Sequence, residues 1–227
     1  DTPSPRAGPA FWETGLGGSA NGWAGSEWIA RSTPSSERPR LRAPLLRRAF
    51  ELEYGKATVS RARLYVATPG FVYAWLNGEP VLDRVCDPIK TDSSKTVHYL
   101  TADVTDATKP GRNVLGLWLA SGFYSPWNRK AEHGTPVVRV VLKVWLADGS
   151  VKTFGTGPDW KVAESPVRLI GSYDKRKGFG GEFWDMTQDQ GEWTAIDYDD
   201  AHWESATVEP APSGELVAQP GLGHAAK

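Results

Sequence analysis

Two stretches of this sequence bring aromatic, amide, guanidinium and carboxylate side chains close enough together to grip a ring-shaped polar ligand. In SGFYSPWNRKAEHGTP, residues 121 to 136, the loop between two strand-like runs carries Tyr124, Trp127, Asn128, Arg129, Glu132 and His133. Indole and phenol rings stack on the CH faces of a sugar, while amide, guanidinium and carboxylate groups take its hydroxyls in pairs. In GEFWD, residues 181 to 185, Glu182, Trp184 and Asp185 follow Gly178, Gly180 and Gly181, whose bare backbone lets a ligand approach. Strand alternation puts Glu182, Trp184 and Met186 on one face and Phe183 and Asp185 on the other. Both stretches also have a plain structural reading. Tyr124 and Trp127 would pack over a sheet edge among solvated charges, the glycines would build turns, and Trp184 would enter the core.

Metal chemistry has weaker support. Asp83, Asp87 and Asp92 lie near one another, as do Asp197, Asp199 and Asp200, and carboxylates with carbonyls are what calcium takes. Neither group has the spacing of a calcium loop, and aspartate caps turns wherever chains reverse. His98, His133, His202 and His224 are scattered, and Cys86 is the single cysteine, which removes an internal disulfide and a cysteine-based zinc site. No metal site is assigned and no cofactor is required, with calcium left open.

The 227 residues carry 26 basic and 27 acidic side chains, a net charge of -1. That balance gives no global field for nucleic acid or for an anionic membrane surface, and a neutral ligand suits it better than a polyanion. No apolar run approaches the ~20 residues that span a bilayer. The eleven tryptophans supply either ligand platforms or core filling, and Trp23, Trp28, Trp118, Trp145 and Trp203 lie in or beside strand motifs where a structural role fits. Trp203 is expected to plug one end of the fold.

The elements that must position these residues are short and strand-like. Residues 1 to 24, with Pro3, Pro5, Pro9 and a glycine cluster, read as an irregular arm. Phe50, Leu52 and Tyr54 alternate with Ala49, Glu51 and Glu53, and in RARLYVAT (61 to 68) Ala62, Leu64 and Val66 can face inward. FVYAWL (71 to 76) runs into Asn77-Gly78, a two-residue hairpin signal because both positions tolerate positive φ. VVRVVLKVWL (137 to 146) and VKTFGT (151 to 156) form an antiparallel pair across Asp148-Gly149. Further strands are expected at 96 to 99 and 113 to 119, and one short helical turn within 103 to 111. Residues 25 to 209 then form an all-β, antiparallel jelly-roll β-sandwich of galactose-binding-like type, and 210 to 227, rich in proline and glycine, a C-terminal linker.

Several strings, in this order, resemble the non-catalytic N-terminal β-sandwich domain of bacterial α-L-rhamnosidases: GSEWIA (25 to 30), PLLRRAFEL (44 to 52), ARLYVATPGFVYAWLNGEPV (62 to 81), DPIKTDSSKTVHYLTADVT (87 to 105), PGRNVLGLWLASGFY (110 to 124), ADGS (147 to 150) and DYDDAHW (197 to 203). The resemblance implies a sandwich preceding a helical catalytic barrel in a secreted glycoside hydrolase. The barrel's inverting cleavage of terminal α-L-rhamnosides needs two carboxyls about 6.5 to 9.5 Å apart. No acidic pair in this chain is assigned that role, so no catalytic residue is expected here. A related sandwich module in some of these enzymes looks calcium-dependent and binds L-rhamnose, using an Asp-Asn pair just before the strand that leads into the Asn-Gly turn. Pro69 and Gly70 stand at the matching positions and offer no side-chain oxygen.

The expected partners are therefore a rhamnose-containing glycan and the downstream catalytic domain of the same polypeptide. The carbohydrate-binding candidates are Tyr124, Trp127, Asn128, Arg129, Glu182, Trp184 and Asp185. Two other readings stay open. One is a structural or protein-interaction sandwich, and the other an autonomous glycoside-cleaving enzyme using Glu182 or Asp185.

Overall fold

Period-2 burial dictates the architecture. On the strand Val59–Ala67, Ala62, Leu64 and Val66 are fully buried between two sheets, while Arg61, Arg63 and Tyr65 point to the opposite face. The computed structural model describes residues 14–16, 22–32, 42–53, 55, 57–124, 135–170 and 181–220. Among them, fourteen strands follow one another: β1 (Ile29–Ala30), β2 (Arg42–Leu52), β3 (Val59–Ala67), β4 (Phe71–Leu76), β5 (Glu79–Pro80), β6 (Thr96–Asp103), β7 (Gly111–Ala120), β8 (Arg139–Leu146), β9 (Val151–Gly155), β10 (Lys161–Ile170), β11 (Gly181–Trp184), β12 (Glu204–Ser205), β13 (Thr207–Val208) and β14 (Glu215–Ala218).

A seven-stranded sheet runs β11-β10-β2-β7-β4-β5 with β12 beside β10, and a five-stranded sheet runs β14-β6-β3-β8-β9. The chain crosses from one sheet to the other between β2 and β3, β3 and β4, β5 and β6, β6 and β7, β7 and β8, and β9 and β10, the jelly-roll pattern expected. Every pairing is antiparallel except β14 on β6, which is parallel. Leu46, Phe50 and Leu52 of β2, Leu115, Leu117 and Leu119 of β7 and Val140, Leu142 and Val144 of β8 fill the space between the sheets. Burial of this apolar surface is the main favourable term in folding.

The turn chemistry acts as its residues require. Asn77 and Gly78 adopt φ of 56° and 86°, and β4 and β5 pair across them. The Asn77 side chain accepts from the Val114 N–H at 2.8 Å and donates to the Ala107 carbonyl and to Asn113 Oδ1. Asn113, fully buried, in turn holds Lys109 of the preceding loop and Gly111 at the start of β7. The stretch expected as a short helix closes as one turn, with the Thr108 N–H bonded to the Val104 carbonyl at 3.0 Å.

Three expectations need correction. Residues 210 to 220 do not simply leave the domain as a linker: β14 lies along the open edge of β6, and Leu216 packs on an outer cluster. Of the stretch read as an arm, residues 14–16 and 22–24 are described, and Trp23 is not part of a loose segment: it is fully buried and packs edge-on against Tyr99 at 5.4 Å over the outer face of the five-stranded sheet. Gly15 passes so close to the Tyr99 hydroxyl that a Cβ there has no room. Trp203 does not plug an end; it lies on the outer face of the seven-stranded sheet with Leu45 and Trp193.

Candidate functional site

The outer face of the seven-stranded sheet is built from residues that alternation turns away from the core: Arg47 on β2, Tyr73 and Trp75 on β4, and Gly116 and Trp118 on β7. Register sets Tyr73 opposite Trp118, and Gly116 opposite both Trp75 and Arg47. The missing side chain at Gly116 leaves a slot that the Trp193 indole fills, since a Cβ there would sit 2.8 Å from the ring. Trp193 packs on Trp75 at 5.4 Å and on Trp203 at 6.0 Å, and Tyr198 closes on Trp203 at 5.9 Å.

A buried arginine clamps this covering segment. Arg47 has no solvent exposure, donates from Nε to the Trp193 carbonyl at 2.9 Å and from Nη2 to the Ala195 carbonyl at 2.8 Å, and pairs through Nη1 with Asp200. Its guanidinium also lies over the Tyr198 ring at 5.5 Å. The forked, planar geometry of arginine serves several acceptors at once, which lysine cannot match.

Rings extend from this covered end of the face toward an open one. Tyr73, Trp75 and Trp118 are half-buried, and Trp118 meets Trp184 edge-on at 5.9 Å. Trp184 on β11 is 53% exposed, and Met186 beyond it 61%. Glu182, also exposed, lies two positions before Trp184 on the same strand and shares its face. Phe183 turns the other way, beneath the Arg168 guanidinium at 5.1 Å. Trp184 thus presents an indole braced by a second indole and half open to water, on the strand face that it shares with Glu182.

The structure separates the candidates from one another. Glu182 and Trp184 stand on this open face. Asp185 is engaged as the N-cap of the 3-10 turn Met186–Gln188, where its Oδ1 accepts from the Thr187 N–H and, at 2.6 Å, from the Thr187 hydroxyl. Tyr124 must be withdrawn as a platform: at 9% exposure its ring belongs to the cluster of Trp23, Trp28, Tyr65 and Val137 on the other sheet. Trp127, Asn128 and Arg129, with Glu132 and His133, lie outside the described residues. Sequence reading missed Tyr73 and Trp75, although aromatics at alternate positions of FVYAWL were the available signal.

The aspartates have local duties. Asp92 accepts from the N–H and hydroxyl of Ser94, Asp199 caps the turn at Ala201, and Asp200 holds Arg47. Among the described residues no three of His, Cys, Asp and Glu converge as a metal site would require. At Gly70 a Cβ would collide with the Ala120 carbonyl oxygen, so this backbone has no room for a side chain there.

Two stacked, almost wholly antiparallel sheets, with a single 3-10 turn as the one helical element among the described residues, define an all-β sandwich domain. The model of the α-L-rhamnosidase N-terminal domain family matches residues 57–225, and this chain belongs to that family. An α-L-rhamnosidase of Formosa agariphila is 30% identical over 90% of this chain and 23% of its own length. One of Streptomyces avermitilis is 34% identical over 81% of the chain and 17% of its own. Among solved structures, α-L-rhamnosidase from Dictyoglumus thermophilum superposes with a TM-score of 0.72 at 28% identity, over 88% of this chain and 22% of that one. The native enzyme from Aspergillus terreus gives 0.76 at 25% identity, over 88% and 23%. The chain thus spans about a fifth of the relatives it matches.

Proposed function

We propose that this chain is a non-catalytic accessory domain of an α-L-rhamnosidase and that it contacts rhamnose-containing glycan through the open indole of Trp184. The observation that carries the reading is the platform itself: a ring 53% exposed, fixed edge-on against Trp118 and sharing its strand face with Glu182. A fixed ring loses little conformational entropy when a sugar stacks on it. Hydrolysis belongs, on this reading, to the downstream catalytic portion of the same polypeptide, and a weak sugar contact here raises the local concentration of substrate for it. A polysaccharide substrate also fits a secreted protein. The contact needs no cofactor.

Calorimetric titration of the 227-residue chain with L-rhamnose and rhamnose-containing oligosaccharides, first with calcium and then with chelator, tests the reading. Saturable binding that weakens about tenfold in Trp184→Ala is expected. Absence of heat at millimolar sugar defeats it.

A second reading is favoured by the width of the aromatic face. Tyr73, Trp75, Trp118, Trp184 and Met186 extend beyond one pyranose ring, and contiguous apolar surface of that kind seats protein as readily as sugar. In that case the catalytic portion docks there. Co-purification of a separately expressed catalytic portion with this chain, lost in Trp184→Ala without any sugar binding, would select it.

A further inference from the structure

The strand that carries Trp184 turns a second aromatic ring to its other face. β11 is the terminal strand of the seven-stranded sheet, all four of its residues are exposed, and Phe183 is 47% exposed. Register places Phe183 directly opposite Arg168 of β10, whose guanidinium lies over the ring at 5.1 Å. Edge strands are ordinarily blunted with charge or proline. β11 instead shows an aromatic ring on each face, and its one carboxylate, Glu182, stands on the Trp184 side.

Arg168 differs from the other arginines of this sheet. Arg47 gives Nε, Nη1 and Nη2 to acceptors, and Arg48 has Asp159 and the Gly155 carbonyl. Arg168 has no hydrogen bond and no ion pair among the described residues, and its Nε is closed to solvent without an acceptor. Glu164, four residues earlier on β10, is taken by Arg31 at 3.0 Å, and Glu182 faces the other way. A shielded donor without an acceptor is rare in native proteins and asks for an explanation. The Phe183 ring holds this guanidinium with part of its hydration already removed, so a carboxylate that reaches it gains more than at a free surface arginine.

We propose that Arg168 and Phe183 seat the downstream catalytic portion of the same polypeptide, which presents an aspartate or glutamate to the guanidinium and an apolar side chain to the ring. Charge complementarity identifies the carboxylate. Chain length identifies its bearer, because in the relatives about four fifths of the polypeptide lies outside the segment that this chain matches. Covalent linkage raises the effective concentration, so a contact built on one ion pair and one ring is enough. The inference rests on the reading that a catalytic portion belongs to the same polypeptide. It puts docking on the face of β11 opposite Trp184, which leaves that indole free for glycan.

The test compares amide hydrogen exchange at residues 181–184 in the 227-residue chain and in the intact polypeptide that contains it, for wild type, Arg168→Met, Phe183→Ala and Trp184→Ala. In wild type the intact polypeptide should exchange about tenfold more slowly than the chain alone. That protection should vanish in R168M and F183A, persist in W184A, and weaken as salt rises. Arg168→Lys, which keeps the charge without the planar fork, should retain part of it. Methionine keeps an apolar stem over Phe183 and removes a donor that has no acceptor, so the isolated R168M chain should melt within about 2 °C of wild type. Equal exchange in the two wild-type forms, protection that survives in R168M, or loss confined to W184A overturns the proposal. Hydrolysis of an aryl α-L-rhamnoside by the intact polypeptide separates the two levels: without turnover the reading beneath the inference fails, and with turnover but no Arg168-dependent protection the inference fails alone.

Discussion

Replacing Arg47 with methionine is the sharpest test of how the aromatic face is assembled. The side chain is fully buried, and its removal strands three acceptors at once: the Trp193 and Ala195 carbonyls and the Asp200 carboxylate. Breaking a buried ion pair from one side costs about 3 to 5 kcal/mol because the partner stays behind unpaired. Asp200 is 23% exposed at its side chain and recovers some hydration, which puts Arg47→Met near the lower figure, about 3 kcal/mol. For a domain of this size each kcal/mol lowers the melting temperature by about 2 to 4 °C, so a fall of about 6 to 12 °C is expected.

The second half of the cycle separates the charge from the packing. Adding Asp200→Leu to Arg47→Met removes the stranded carboxylate and should restore about 1 to 2 kcal/mol, a coupling typical of residues in one network. Urea unfolding followed by far-UV circular dichroism gives the stability. Near-UV dichroism of the folded variants reports whether Trp193 and Trp203 have lost their fixed environment. A single variant within about 1 kcal/mol of wild type, or a double variant less stable than the single, would refute the clamp.

Three further outcomes follow from the same structure. Asn77→Ala loses bonds to Val114, Ala107 and Asn113 and leaves alanine at a φ of 56°, and it should cost about 2 to 4 kcal/mol by urea unfolding, whereas Asn77→Gly, which fits the turn, should cost less. Gly116→Val forces Trp193 out of its slot, so lower stability and a changed near-UV spectrum are expected, with Trp75 more accessible to an aqueous quencher. Burial pushes the Asp103 carboxyl up, but the hydroxyl and N–H of Thr105 and the Arg63 guanidinium outweigh it and hold it below the ordinary value. A carboxyl depressed in the fold adds stability above its unfolded pKa of about 3.9 and loses it as pH falls through the folded value. Stability should therefore decline below about pH 4, and less steeply in Asp103→Asn, as an acid titration of the melting temperature will show.

What could be read from the sequence was whatever depended on near neighbours. Alternation in RARLYVAT and FVYAWL, and the turns at Asn77-Gly78 and Asp148-Gly149, gave β3, β4, β8 and β9 nearly to the residue because period and turn type are local properties. β10 escaped because Ser165 and Pro166 break its pattern. The proline lies where the register with β2 shifts between Glu164 and Arg168, an irregularity that tolerates a missing N–H. β14 has four residues between turn formers and becomes a strand only by borrowing the edge of β6. The burial of Arg47 was invisible for the same reason, since its partners lie 146 to 153 positions away. Trp184 was found as a candidate, but its support on Trp118 depends on two strands that meet only through the order of the sheet.

Both sheets of this sandwich bury a second face, and each does so with a segment drawn from nearer a chain end. Residues 193 to 203 cover part of the seven-stranded sheet, and Trp23 with its neighbours covers part of the five-stranded one. A free-standing antiparallel sandwich needs no such covering, because its outer faces can be polar. Here the positions facing outward are Tyr73, Trp75 and Trp118 on one sheet and Tyr65, Val141 and Trp145 on the other, so water was never their intended neighbour along the whole face. Among the described residues the covering of the seven-stranded sheet stops short of Trp184. That half-exposed ring at the margin of a covered face is what the proposed contact with glycan or with a catalytic portion rests on.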